Sequence, residues 1–220
     1  MGADLRALKR EALTGLASRL AGTPVHGVSP RTRRNPDALR LTWEFGNGAH
    51  ALVVVATVKQ GLPAGRFALE PRLLMSGGPL ADALGALSLP PSPAWDANHY
   101  LVNADCRTLG GPTGTFIVRP EDSSGVNRAE ADIEAYLLPA ITAFSGDWLG
   151  ALRIAMAYPA AVAFAGATAA ILIEWTGRVD LIPELRAAAV TDPWVRQAMS
   201  HEEFARLVDS YSNQIPDAGR

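Results

Sequence analysis

The residues best equipped for chemistry gather between positions 95 and 107: Trp95, Asp96, His99, Asp105, Cys106 and Arg107. A histidine near carboxylates can move a proton or hold a metal ion, and a thiol becomes a nucleophile once ionised. Spacing restrains these readings. On an extended strand His99 and Asp105 point the same way but lie ~20 Å apart, so they meet only if a turn intervenes. Trp95 follows Pro91-Ser92-Pro93-Ala94 in a connector, where no periodic pattern asks for a large ring. Trp95, His99, Asp105 and Arg107 are therefore expected to line a binding site rather than a catalytic one.

The other chemical motifs have structural explanations. No family signature surrounds Cys106, and no Gly-x-Ser-x-Gly elbow exists for a serine nucleophile. The four histidines are scattered, so no metal site and no cofactor are expected. The glycine-rich stretch Gly110-Gly111-Pro112-Thr113-Gly114 lacks the lysine and following helix of a phosphate loop, and reads as a hairpin turn. Ser200 and Glu203 around His201 form the pattern of a helix capping box.

The elements that must position these residues are legible from periodicity. Leu5, Leu8, Ala12, Leu13, Leu16 and Leu20 form one stripe, predicting an amphipathic helix over about Ala3 to Ala21. Residues 22–37 show no period and read as loop. Leu39, Leu41, Trp43 and Phe45 then alternate with Arg40, Thr42 and Glu44, and after Gly46-Asn47-Gly48 comes an apolar run from Ala49. That pattern predicts a β-hairpin, with a two-residue turn at Asn47-Gly48 that sets Trp43 opposite Leu52. A third strand is expected over Arg66 to Glu70, disturbed by Pro71, and two more over His99 to Asn103 and Thr115 to Arg119.

Beyond Pro120 the pattern turns helical. Asn127 with Glu130 suggests a capping box, Pro139 a kink, and Ser145 a cap for the next helix. Ile154 to Ile173 carries no charge, yet its alanine content and Pro159 argue for a buried helix over a membrane span. The expected fold is α+β: an N-terminal helix, an antiparallel sheet of about five strands, and a helical C-terminal half packed on one sheet face. One domain over residues 1–220 is expected, sheet-rich to 120 and helical over 121–214.

Composition bounds the function. Of 220 residues, 48% are hydrophobic, enough for a real core, and the lone cysteine forms no intrachain disulfide. The charged start is unlike a secretory leader, so a cytoplasmic location is expected. Residues 1–120 hold 13 Lys+Arg against 8 Asp+Glu, and residues 121–220 hold 7 against 14. The cluster Arg31, Arg33, Arg34 and Arg40 has no aromatic neighbour to stack a base, and reads as a solvated loop rather than a nucleic-acid surface.

The order of elements is loosely similar to small bacterial immunity and secretion-chaperone proteins, a likeness at fold level that no motif carries. The expectation is a non-catalytic cytoplasmic accessory module that binds another protein, with neither nucleic acid nor membrane as partner. A small-molecule binder or enzyme, with its site between sheet and helices, is the alternative.

Overall fold

The computed structural model describes residues 2–46, 48–87, 100–196, 206 and 208. The protein is α+β, and its chain divides into two compact units that interleave in sequence. The first comprises residues 1–75 and 103–142, the second 76–102 and 143–220.

The first unit holds the sheet. Helix α1 (Gly2–Leu20) is followed by β1 (Arg31–Asn35), β2 (Ala38–Phe45), β3 (Gly48–Thr57) and β4 (Phe67–Ser76). The short strands β5 (Val102–Ala104) and β6 (Phe116–Val118) complete a six-stranded sheet of order β1-β2-β3-β4-β5, with β6 also on β4. Helix α1 forms because Leu5, Leu8, Ala12, Leu16 and Leu20 recur every three or four residues, with Leu13 beside them. Leu13, Leu16 and Leu20 are buried with Leu39, Leu41, Trp43, Leu52 and Val54. A buried leucine is worth roughly 1.5–3 kcal/mol relative to exposure, which sets the helix face.

Three strand expectations change. β2 and β3 form the anticipated hairpin, but Phe45 pairs with Gly48 and Trp43 with His50, a register two residues from the expected one. Gly46, at φ +57°, opens the connection in the left-handed backbone that favours glycine. Asn47 lies outside the described residues. Because side chains alternate with period two, a two-residue shift leaves every face assignment intact. β4 runs on through Pro71, which follows the three residues paired with β6, so its missing N–H falls outside that ladder. β6 pairs with β4 over Phe67–Leu69 and β5 also borders β4, so residues 105–115 are a loop along one strand edge rather than a hairpin turn.

The largest departure is β1. Residues 31–35 read as loop, yet they pair antiparallel with β2, from Arg31 opposite Thr42 to Asn35 opposite Ala38. Pro36 and Asp37 make the two-residue return, and the Asn35 side chain accepts a 2.9 Å bond from the Asp37 N–H. All five β1 residues are exposed, so no alternation could reveal the strand.

The first unit closes with a long helical run. Helix α3 (Ser124–Asp132) passes into a π-helical turn (Ile133–Leu137) and then helix α4 (Leu138–Phe144). The wide turn lies just before Pro139, whose ring and absent N–H exclude a regular α ladder. The cap of α3 is not Asn127, which sits within the helix. Ser123 holds the N-cap position without a side-chain capping bond, and Asp122 before it accepts the Ser124 N–H at 2.7 Å.

In the second unit, α2 (Gly78–Gly85) begins with Pro79 in its first turn, where its missing N–H has no helical partner to lose. Helices α5 (Trp148–Ala157), α6 (Ala165–Thr176), α7 (Ile182–Thr191) and α8 (Pro193–Arg196) follow. Asp147, not Ser145, caps α5 by accepting the Gly150 N–H at 3.0 Å. The uncharged stretch is broken at Tyr158–Pro159 and again at Phe164, which holds φ +48° before α6. Residues 165–173 are buried throughout, as a helix of small residues packed on every side must be. Among the described residues no helix is long and apolar enough to cross a membrane.

Candidate anion-binding edge and cleft

Of the four residues singled out for binding, Trp95 and His99 lie outside the described residues. Asp105 is half-buried, and its Oδ1 accepts both the N–H and the hydroxyl of Thr108, each at 2.7 Å. It thereby organises its own turn. Gly114 abuts the same carboxylate, since a Cβ there would come within 2.6 Å of Asp105 Oδ2. Arg107 is exposed on the same loop. Next to them Cys106 is fully buried, and burial, reinforced by the Asp132 and Asp105 carboxylates, pushes its thiol up to about 12. A thiol held that high stays protonated at neutral pH and is no nucleophile. Among the described residues no group of three or more His, Cys, Asp or Glu could hold a metal ion.

The concentration of unneutralised charge lies elsewhere, on β1 and the start of α1. Arg6, Arg10 and Thr14 are spaced by four and form one row along α1. On β1, Arg34 pairs with Leu39 and Thr32 with Leu41, so their side chains share the sheet face of the buried β2 leucines. That is the face α1 covers. Arg34 Nη1 donates to Thr14 Oγ1 at 2.9 Å, holding strand and helix together at the mouth of a cleft. The cleft has a volume of about 760 Å³ and is lined by Arg6, Arg10, Thr14, Arg34 and Pro36, with Leu13 at its base. Among the described residues no carboxylate lines it.

The opposite face of β1 carries a second group. Arg31 is bonded to Glu44 at 3.1 Å, a neighbour on β2. Arg33 stands directly across from Arg40, both exposed, and neither has an ion-pair partner among the described residues. Two other cations of α1 are paired, Lys9 with the Asp37 carboxylate at 2.7 Å and Arg19 with Glu130 at 2.6 Å. Over residues 6–40, eight Lys+Arg face two Asp+Glu. The arginines were visible as a cluster in the sequence. What was missed is that 31–35 form an edge strand and that Arg6 and Arg10 join them. The four-residue spacing in α1 and the Asn35-Pro36-Asp37 turn were the signals available.

Arginine presents a planar fork of donors that matches carboxylate and phosphate oxygens, and it stays charged at any ordinary pH. Beside a strand edge with unpaired backbone groups, such forks can hold an extended anionic chain. No family model, curated protein or solved structure matches this chain.

Proposed function

We propose that this protein is a non-catalytic accessory module of the cytoplasm that binds another protein, and that the α1–β1 surface of its first unit is the binding face. The observation carrying this reading is the Arg33–Arg40 pair. Like charges directly opposite on one sheet face destabilise the sheet. A charged edge does protect a sheet from pairing with copies of itself, but a mixed-sign edge would do so without repulsion. Departures from local consistency of this kind concentrate where a surface serves a partner. The lone cysteine, reduced and in the core, suits a reducing compartment.

The test is capture from the native cell on immobilised protein, compared with an Arg33→Glu/Arg34→Glu variant. The reading expects a protein that resists nuclease treatment, is released by salt and is not retained by the variant. Retention of nucleic acid alone, or of the same protein by both forms, would overturn it.

A further inference from the structure

The edge and the cleft together identify the kind of segment that fits. We infer that β1 accepts an extended acidic segment of the partner as an added strand, with two adjacent carboxylates straddling the sheet. This rests on the protein-binding reading above.

Three observations converge on it. First, β1 ends the sheet order, so among the described residues only β2 pairs with it, and alternate N–H and C=O groups of β1 face away from β2. All five of its residues are exposed. Second, consecutive β1 arginines point to opposite faces: Arg34 toward the cleft with Arg6 and Arg10, Arg33 toward the outer row with Arg40. A strand laid alongside alternates in the same way, so two neighbouring acidic residues would each meet one arginine group. Third, among the described residues no aromatic side chain lines the cleft, whereas single-stranded nucleic acid is held chiefly by stacking on aromatic rings together with its phosphates. Main-chain hydrogen bonds would supply affinity and the paired carboxylates specificity, the usual division in strand addition.

The probe is a capped synthetic peptide of sequence Val-Thr-Glu-Glu-Thr-Val, titrated into the full chain and followed by calorimetry. It is expected to bind, to weaken as salt rises, and to lose about tenfold or more in affinity on Arg33→Glu/Arg34→Glu substitution. A Lys-Lys analogue is expected not to bind. An analogue N-methylated at alternate residues cannot complete the ladder and is expected to lose about tenfold. Equal binding of that analogue would overturn strand addition while leaving charge-led protein binding intact. Tighter binding of a thymidine oligonucleotide than of the acidic peptide would overturn both. Self-association without peptide in sedimentation velocity, abolished by the double variant, would assign the edge to a second copy and overturn the inference. Circular dichroism melts of the double variant establish that any loss is not unfolding.

Discussion

Trp43 and His50 stand directly opposite each other on β2 and β3, buried, with Trp43 Nε1 and His50 Nδ1 both lacking a hydrogen-bond partner among the described residues. The imidazole also meets the Phe45 ring edge-on, at 5.1 Å between centroids. A polar atom buried without a partner costs on the order of 1–3 kcal/mol, so this pair is a weak point in an otherwise apolar core.

The imidazole makes that weakness depend on pH. Burial lowers the His50 pKa from 6.5 to about 4. The unfolded chain therefore takes up a proton as pH falls through 6.5, while the native chain resists until about 4. Stability is full above 6.5 and falls between 6.5 and 4, by on the order of 3 kcal/mol from this group. Urea unfolding across that range is expected to show the slope in the native sequence and to lose it in His50→Leu. Identical slopes in both proteins would refute the assignment.

Cys106 is expected to resist alkylation in the folded state. Its thiol is fully buried and held near 12, so iodoacetamide at neutral pH should modify it only as fast as the protein opens. Mass spectrometry with and without denaturant measures this directly. Rapid native labelling would mean that the thiol is exposed or ionised.

Gly125 sets the backbone of α3 against that of β6. A Cβ there would strike the carbonyl oxygen of Ile117 and lie 2.8 Å from its carbon, both backbone atoms that cannot swing away. Gly125→Ala should cost about 2–3 kcal/mol through forced separation of helix and strand, despite the better helix propensity of alanine. A thermal melt within a degree of the native protein would show that the two elements separate freely.

Arg33→Glu should separate stability from binding. Opposite Arg40 it converts a like-charge pair into an attractive one, expected to raise stability by about 0.2–1 kcal/mol. The same change removes an arginine from the proposed binding edge. A variant more stable yet unable to hold its partner is the expected result. Lower stability would mean that the Arg33 guanidinium supports the fold.

Much of the fold was legible from short-range patterns. Helix α1 was expected over about residues 3–21 and spans Gly2–Leu20, since its leucine stripe recurs within one helical turn. Trp43 is buried, and Arg40 and Glu44 are exposed, because alternation along a strand survives a register shift of two. The shift itself was not legible. Gly46, Asn47 and Gly48 are all tolerant of positive φ, so local chemistry permits more than one two-residue turn, and cross-strand packing selects between them. Caps were misread for a related reason. Ser145 and Asn127 are as competent as Asp147 and Ser123, and which one takes the N-cap position depends on where the chain enters the helix.

The candidate binding surface shows the same division at longer range. The arginines, their number and the turn at Pro36 are properties of a few neighbouring residues, and reading them needs no fold. That residues 31–35 form a strand does not follow from them, because a fully exposed, polar segment has no period to betray it. It is a strand because β2 offers it a ladder. Arg6 and Arg10 join Arg34 only when the leucine face of α1 settles on the sheet, bringing together residues more than twenty positions apart. Local periodicity encodes elements, whereas the meeting of distant charges is a consequence of which apolar faces bury one another.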